Sequence, residues 1–423
     1  MLPAVAQAQF TYTNTDGIWT YATNNGYLTI TAFTGSGSVT VPSSITFRLK
    51  VFPFNNVTWP VTCIGDGAFS EYYSSIDDRP ASITIPDSVI NIGNYVFEEA
   101  LNLTNLVIGA GVASIGTNGF LWTSGLKTIT VNSTNASYSS VGGVLFDKSQ
   151  AILIQYPTGN PAASYTIPNG VTNIGDVSFF LSFYLTNVAI PTSVINIGNS
   201  AFQSCPGLRS VTMGINVTSI GIYAFEGCSS ISSIIIPNSV KSIGSAAFEA
   251  CGLTSVTIPN GITSIASQTF DTCGSLTNII IPNSVTSIGG LAFNACYNLK
   301  SVWFSGNSPT PTNDLSVFQN DNIATVYYLP RTTGWGTTFD GLPTVLWLPQ
   351  MQPNNASFGV LTNQFGYNIN WASGQIVVVE ACTNLANPTW ISVQTNTLTS
   401  GTAHFSDSQW TNYPGRFYRL FSP

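Results

Sequence analysis

The sequence predicts a β-rich solenoid with coils of about 23 residues, followed by a small C-terminal antiparallel β module. The first observation is a recurring Ile-Gly pair with a Phe five positions after the Ile. The second is its period: from Ile174 to Ile288 the Ile-to-Ile steps are 23, 23, 23, 22 and 23 residues. The third is the alternation of apolar and polar residues within 357–423. A fixed period of this length is typical of a solenoid, in which each coil buries its apolar side only against its neighbours.

Composition excludes several classes of protein. Apolar residues make up 44% of the 423 residues, which is too many for a disordered chain. Charged residues make up only 7%, against a usual value of about 25%. The formal charge is -7 and the 11 Lys and Arg residues are scattered, so we expect no nucleic-acid partner. No run of 18 apolar residues occurs, so we expect no membrane span.

The N-terminal segments carry two separate predictions. Residues 1–8 end in Ala6-Gln7-Ala8, which is typical of a signal-peptidase site, and we interpret them as a residual signal peptide. The alternative is a slightly apolar native N-terminus. Residues 9–63 are predicted to form an N-terminal cap and a first degenerate repeat. Their aromatic stretch from Phe47 to Trp59 is expected to plug the open solenoid end rather than to form a ligand-binding loop.

Each unit of the solenoid divides into three parts, as residues 253–275 illustrate. Leu253 to Ile258 alternates as a strand with one buried face, and Pro259 ends it by removing a ladder donor. A second short extended run ends at the repeat Ile, and the following Gly is expected to provide a tight bend. The Phe is the main core residue. Nine Ile/Phe pairs follow this plan: Ile64/Phe69, Ile92/Phe97, Ile115/Phe120, Ile174/Phe179, Ile197/Phe202, Ile220/Phe225, Ile243/Phe248, Ile265/Phe270 and Ile288/Phe293.

Two motifs connect these units to a known family. The strand reads L-x-x-[IV]-x-[IV]-P, and the second motif reads I-G-x-x-A-F, as in Ile243–Phe248. The unit resembles the leucine-rich repeat, and more narrowly the BspA-type class of bacterial surface proteins, over roughly residues 38–345. The resemblance implies a right-handed superhelix and a secreted or surface-exposed binding protein without a cofactor. Its implied partner is an extracellular protein or glycan.

The regular solenoid is predicted over residues 64–300, with one insertion at about 132–165. Ile115 and Ile174 are 59 residues apart, and the excess contains two apparent strands, 138–146 and 151–157. The BspA-type class commonly has such an insertion. Residues 301–349 are predicted to form the C-terminal cap and residues 350–356 a linker. Residues 357–423 are predicted to form a β-sandwich-like module that either attaches the protein to the cell envelope or caps it passively.

Five of the seven cysteines fall eight residues after the repeat Ile and therefore form one column. We expect buried thiols that pack as small hydrophobic residues. A disulfide ladder and a metal row are the alternatives, although the paired Cys or His spacing of a metal site does not occur. The column consists of Cys205, Cys228, Cys251, Cys273 and Cys296.

The sequence gives little support for catalysis. His404 is the only His, so a His-based triad cannot form in the solenoid, and we predict that the protein is not an enzyme. A polysaccharide-active enzyme would need distant carboxylates to converge. One acidic row, Glu226, Glu249 and Asp271, follows the repeat Phe in consecutive coils. It is predicted to be either a solvated row or a weak Ca²⁺ site.

The outward positions of the repeat strands are the candidate ligand surface. Val256 and Ile258 point inward, so Thr257 between them points outward. Equivalent positions become apolar and aromatic toward the C-terminus, which favours an interaction site, although such residues also simply suit strands. The candidate binding residues are Ile235, Thr257, Ile280, Trp303 and Tyr327.

Three classes of function remain from the sequence. The first is a secreted or cell-surface, non-enzymatic binding or adhesion protein that uses the solenoid sheet. The second is a structural component of a surface layer or matrix, which the low charge also suits. The third is the polysaccharide-active enzyme, which the scarcity of acidic residues disfavours.

Overall fold

The computed structural model describes residues 9–48, 56–70, 79–311, 316–321, 323–354 and 356–423. The predicted signal peptide, residues 1–8, lies outside the described residues. The chain forms two compact units. The first extends to Thr277 and adds Ser287–Leu299 and Pro311–Ile323, and the second comprises Asn278–Thr286, Lys300–Thr310 and Ala324–Pro423. Within the described ranges the regular structure is β-strand except for a 3₁₀ helix at Trp410–Asn412.

The N-terminal cap is an antiparallel meander that continues into the solenoid. In the sheet β1–β2–β3 the strands are antiparallel, and β3 then pairs in parallel with β6. β5 and β6 form an antiparallel pair. The strands are β1 (Gln9–Thr13), β2 (Ile18–Asn24), β3 (Tyr27–Thr34), β4 (Gly37–Thr40), β5 (Ser44–Arg48) and β6 (Asn56–Ile64).

The solenoid and the chain after it consist mostly of short strands. The strands up to the second unit are β7 (Pro80–Ile85), β8 (Asn91–Ile92), β9 (Asn105–Ile108), β10 (Ser114–Ile115), β11 (Thr128–Val131), β12 (Tyr138–Val141), β13 (Val144–Asp147), β14 (Ile152–Gln155), β15 (Ser164–Thr166), β16 (Asn173–Ile174), β17 (Asn187–Ala189), β18 (Asn196–Ile197), β19 (Ser210–Thr212), β20 (Ser219–Ile220), β21 (Ser242–Ile243), β22 (Ser255–Thr257) and β23 (Ser264–Ile265). The later strands are β24 (Asn278–Ile281), β25 (Ser287–Ile288), β26 (Ser301–Phe304), β27 (Thr310–Pro311), β28 (Thr325–Tyr328), β29 (Thr338–Phe339), β30 (Leu342–Leu346), β31 (Gln350–Gln352), β32 (Gly359–Leu361), β33 (Gln364–Asn370), β34 (Ile376–Cys382), β35 (Ile391–Thr397), β36 (Thr402–Asp407) and β37 (Phe417–Phe421).

Successive coils of the first unit lie in register, as the period predicts. The repeat Ile residues pair directly across parallel strands, for example Ile197 with Ile220 and Ile220 with Ile243. The strands before the Pro turns form a second set of parallel sheets, β4–β7–β9–β11 and β15–β17–β19. The 22-residue step between Ile243 and Ile265 coincides with a break, because β21 ends one sheet and β23 begins another.

The repeat Phe side chains form one continuous stack inside the coils. From Phe179 to Phe318 neighbouring ring centroids are 4.6–5.6 Å apart and the ring planes differ by 2–17°. Most of these Phe residues are among the largest fully buried side chains of the described residues, and large aromatic groups dominate the energetics of a core. The predicted role of Phe as the main core residue is therefore confirmed.

The N-terminal end of this row is closed by residues that the sequence analysis did not select. Trp19 is fully buried, with its ring 4.2 Å from Phe33 and 6.1 Å from Phe69, both measured between centroids. Phe47 and Trp59, the expected plug, pack edge to face at 5.0 Å and only partly enter the same core. Among the described residues, Trp19 and Phe33 of the antiparallel meander cover the ring of Phe69, and residues 49–55 of the expected plug lie outside the described residues.

The insertion contains three strands, because a turn at Gly142-Gly143 divides the first of the two expected segments. β12 and β13 form a hairpin across Gly142 and Gly143, both at positive φ, and β13 pairs antiparallel with β14. β14 then pairs in parallel with β16, which returns the chain to the solenoid sheet. Tyr156 stacks on Phe179 at 5.0 Å and takes the place of a repeat Phe. The insertion therefore adds one ring to the N-terminal end of the row that begins at Phe179.

The Gly after the repeat Ile allows close packing against the neighbouring coil. At Gly93, Gly116, Gly198, Gly221 and Gly244 the backbone is not in the left-handed region. A Cβ on Gly221 would lie 2.6 Å from the backbone N of Asn199 and from the backbone carbon of Gly198. A turn does begin here, as the hydrogen bond from Ala247 N to Gly244 O at 3.3 Å shows, but glycine is needed because the neighbouring coil leaves no room for a side chain.

Gly221→Ala is expected to lower the free energy of unfolding by about 1–3 kcal/mol, since an inserted methyl group must displace backbone atoms. Urea unfolding of the full chain measures this loss. The matched control is Gly415→Ala, where a Cβ meets nothing within 4 Å and the backbone is not left-handed. Equal midpoints for the two variants would contradict the close-packing explanation.

The second unit contains a five-stranded sheet and a two-sheet module. β24, β26, β28 and β30 run parallel, and β29 pairs antiparallel with β30. In the module β33 pairs with β31, β32 and β36, while β34 pairs with β35 and β37. Both sheets contribute to a single core with Tyr367, Trp371 and Val379 at its centre.

Two predicted boundaries differ from the structure. Residues 350–356 were expected to be a linker, yet Gln350–Gln352 is a strand hydrogen-bonded to β33. Residues 301–349 were expected to be an atypical cap, yet β26, β28 and β30 continue parallel pairing in register. The loss of the Ile-Gly and Phe motifs therefore does not mark the end of strand stacking, because backbone pairing needs only alternating inward residues.

Candidate binding surface

The outward residues of the second unit's parallel sheet form a continuous row, which we call the aromatic strip: Ile280, Trp303, Tyr327 and Val345. Ile280 pairs with Trp303, Trp303 with Tyr327, and Tyr327 with Val345. The alternation in each strand produces this arrangement, since the preceding residues, such as Ile279 and Val302, are fully buried. Ile280 and Val345 are each 45% exposed.

The aromatic residues of the strip are held in place by stacking. The rings of Trp303 and Tyr327 are 4.0 Å apart between centroids and 16° from parallel. The ring centroids of Trp347 and Trp303 are 4.6 Å apart. The carbonyl oxygen of Trp347 accepts a 2.9 Å hydrogen bond from Trp371 Nε1. Trp347 also packs against the core of the terminal module. The strip is therefore a preorganised surface rather than a set of mobile side chains.

Sequence reasoning selected three members of the strip and missed two of the residues that shape it. Val345 and Trp347 were assigned to an irregular cap, although the alternation within Leu342–Leu346 is the signal that could have placed Val345. Ile235 is 84% exposed, but no strand is assigned to its segment, Ile231–Pro237. Ile235 and Thr257 belong to the first unit and are not members of the strip.

The acidic row is more buried than a row of solvated carboxylates would be. Asp271 is only 5% exposed, and its Oδ1 accepts a 2.8 Å hydrogen bond from Asn294 Nδ2. Burial, followed by the charges of Asp271 and Glu226, raises the pKa of Glu249. Among the described residues no group of three or more His, Cys, Asp or Glu side chains is arranged to hold a metal ion. The hydrogen-bond donors to the Asp271 carboxylate are therefore side-chain amides.

The cysteine column consists of free, buried thiols with a shared hydrogen bond. Its five members are 0–2% exposed. Each Sγ donates to the carbonyl oxygen of the Phe one coil earlier, as Cys228 does to Phe202 at 3.2 Å. Burial raises the pKa of Cys205 and of Cys273 to about 12. The thiols are therefore held in their neutral form, which suits packing and hydrogen bonding rather than nucleophilic chemistry.

Asp321 continues the cysteine column in the last coil. Its backbone N–H donates to the Phe318 carbonyl at 3.1 Å, as that of Cys228 does to Phe225. The side chain is 1% exposed, and neither carboxyl oxygen has a hydrogen-bond partner of good geometry among the described residues. Burial raises its pKa to about 7, and the Cys296 backbone amide opposes that shift. The sequence analysis missed this residue because its coil lacks the Ile-Gly motif.

The only His is placed away from any catalytic partner that the described residues provide. His404 lies on β36 with its Nδ1 2.8 Å from the Oδ1 of Asn368. An amide neither takes up nor releases a proton at ordinary pH, so this pair orients the ring without activating it.

No helix in the described ranges is long and apolar enough to cross a membrane.

Sequence comparison gives one family match. The model of the BspA type leucine rich repeat region matches in six copies, over residues 43–160, 156–237 and 218–338. Together these cover residues 43–338, which is more than half of the 423 residues. A search of the curated proteins finds no match.

Comparison with solved structures gives leucine-rich repeat proteins of bacteria. A leucine-rich repeat protein from Bacteroides ovatus ATCC 8483 is 20% identical, with 80% of this chain and 100% of that chain covered, at a TM-score of 0.45. A leucine rich cell surface protein from Faecalibacterium prausnitzii A2-165 is 24% identical over 75% of this chain and 100% of that chain, at 0.37. The pneumococcal vaccine antigen PcpA is 19% identical over 77% of this chain and 95% of that chain, at 0.43.

Proposed function

The chain belongs to the BspA-type leucine-rich repeat family, and we propose from this premise that it is a secreted or cell-surface binding protein without catalytic activity. Its partner is an extracellular protein or glycan. The family membership supports the class of function, and the aromatic strip supports the place where the partner binds.

The single observation that supports the strip as the binding site is that its residues form one continuous row. Four outward residues on neighbouring parallel strands are apolar or aromatic and lie in direct register. Strands on this sheet are about 4.8 Å apart, so the row forms one contiguous surface. A preorganised surface of this kind loses little side-chain entropy when a partner binds. Aromatic residues on such a surface commonly carry most of the binding energy.

The double substitution Ile280→Ser with Trp303→Ser is expected to weaken capture of the partner at least about tenfold, because it removes the centre of the strip. Arrays of extracellular matrix proteins and of glycans identify the captured partner, and biolayer interferometry with the full chain then measures its affinity. The matched control is Ile215→Ser, since Ile215 is 70% exposed and lies outside the strip.

Unchanged affinity in the double variant, with a wild-type melting temperature, would count against the strip. Ordered self-assembly of the wild-type chain without capture of any partner would favour a structural surface-layer component instead. The low fraction of charged residues, 7%, is the observation that keeps this second candidate open, because few charges oppose lateral association.

A further inference from the structure

A second surface of the protein has a different chemistry from the aromatic strip. Three strands of the terminal module, β31, β33 and β36, present six neutral polar side chains on one side of their sheet. We call this surface the amide face. Its residues are Gln350, Gln352, Asn368, Asn370, Thr402 and His404.

Strand register places these side chains in two adjacent rows. Gln352, Asn368 and His404 are direct cross-strand neighbours. Gln350, Asn370 and Thr402 form the next row in the same way. The surface over them is a depression of about 490 Å³.

The other side of the same sheet fixes the amide face in position. Tyr367, Ile369 and Phe405 point inward from β33 and β36 and are 0–1% exposed. His404 is further oriented by the 2.8 Å contact between its Nδ1 and the Oδ1 of Asn368. Gly366 lies beside the imidazole, and a Cβ there would come within 3.3 Å of Nε2. The ring therefore lies beside the Gly366 backbone and is oriented by the Asn368 side chain.

The chemistry of the amide face fits hydroxyl-rich, uncharged ligands. Each carboxamide offers both donors and an acceptor, and a sugar hydroxyl is also both a donor and an acceptor. The outward positions of the three strands carry no carboxylate, ammonium or guanidinium group. An ionic polymer would find none of these groups there as a counter-charge.

We propose that the amide face of the terminal module is a binding site for neutral polysaccharide, separate from the aromatic strip. The two surfaces then give the protein two attachment points of different specificity. This site lies outside the residues matched by the repeat family, which end at residue 338.

Affinity electrophoresis of the full chain tests this site. Gels contain xyloglucan, galactomannan or amylopectin as neutral polysaccharides, and polygalacturonate as the charged comparison. At least one neutral polymer is expected to retard the wild type, while polygalacturonate does not. The double variant Gln352→Ala with Asn370→Ala is expected to bind that polymer about tenfold more weakly, since two sites of hydrogen bonding are lost.

Two controls separate this proposal from the function proposed for the strip. Asn387→Ala removes an exposed amide from the loop before β35 and is expected to bind like the wild type. The strip variant Ile280→Ser with Trp303→Ser is also expected to keep its polysaccharide retardation. The proposal is overturned if no neutral polymer retards the wild type, if polygalacturonate retards it equally, or if the amide variant with a wild-type melting temperature binds unchanged.

Discussion

Replacing Phe248 by alanine is expected to lower the free energy of unfolding by about 3–5 kcal/mol, among the largest losses a single core substitution causes. Phe248 is fully buried and stands in the middle of the Phe row. Its ring lies 5.5 Å from that of Phe225 and 5.6 Å from that of Phe270, with planes only 2° and 5° apart. Two coils therefore lose contacts at once when this ring is removed.

The cavity left by Phe248 cannot easily collapse. Backbone hydrogen bonds fix the neighbouring coils at this level, with Phe248 N donating to Thr269 O and Phe225 N to Ala247 O, at 3.0 and 2.8 Å. Since relaxation is limited, the cavity adds its own cost to the lost transfer free energy.

Urea unfolding measures the loss at Phe248. Phe183→Ala is the matched control, because this ring is 47% exposed and its removal is expected to change stability by no more than about 0.5 kcal/mol. A loss at Phe248 as small as that at Phe183 would mean that the row does not stabilise the solenoid.

The repeat rows could be predicted from the sequence because they depend only on local spacing. A coil of 23 residues returns the same residue type to the same place, so Ile220 must meet Ile197 and Ile243 once the coils stack. The solenoid ends could not be predicted in this way. Trp19 closes the Phe row from a meander with no repeat motif, and Tyr156 replaces a Phe from within an insertion. Trp19 and Phe69 are 50 residues apart and no period encodes their contact, whereas Tyr156 lies one 23-residue step before Phe179 but in a coil without the Phe that marks the repeat.

The aromatic strip could also be predicted from local spacing, but only in part. Strand alternation identifies Ile280, Trp303 and Tyr327 as outward residues, and their register follows from the period. The alternation of inward and outward residues does not indicate which outward side chains are contacted by another part of the chain. Trp347 packs on Trp303 because the chain continues into the terminal module, whose core it also joins. That contact depends on the tertiary fold and has no local signal.

The second large effect is expected at Asp321, whose carboxyl ends the cysteine column. Its pKa is raised from an ordinary value of 3.8 to about 7, because burial disfavours the charged form by more than the Cys296 backbone amide favours it. The nearby Asp271 raises it further. Between about pH 4 and pH 7 the folded protein keeps this proton while the unfolded chain has released it. The free energy of unfolding therefore falls as pH rises through that window.

The size of this fall follows from the shift of about three pKa units. At roughly 1.4 kcal/mol per unit it amounts to on the order of 4 kcal/mol once the pH exceeds 7. Asp321→Asn removes the ionisable group while keeping its shape. The variant is expected to match the wild type near pH 4 and to exceed it in stability at pH 8. The raised pKa of Glu249 adds a slope of the same sign, but it is present in both proteins and cancels from their difference.

Urea midpoints of the wild type and the Asp321→Asn variant, measured from pH 4 to pH 8, test this expectation. Asp321→Cys is a second variant, because it installs the residue that the column carries in the five preceding units and stays neutral in the same range. Both variants are expected to flatten the pH profile. Parallel profiles for the wild type and either variant would show that the Asp321 carboxyl is not the group that titrates.

The position of Asp321 in the last coil also predicts where the structure opens first at high pH. An ionised carboxylate without partners gains water only if its own coil separates from the stack, whereas the thiols of Cys273 and Cys296 have no such drive because they stay neutral. Peptides covering residues 316–321 are therefore expected to exchange amide hydrogens faster at pH 8 than at pH 5, after correction for the intrinsic rate. Peptides around Phe225 are expected to remain protected, since the titrating group is several coils away. The Asp321→Asn variant should lose the difference between the two pH values, which ties the local opening to this one carboxyl.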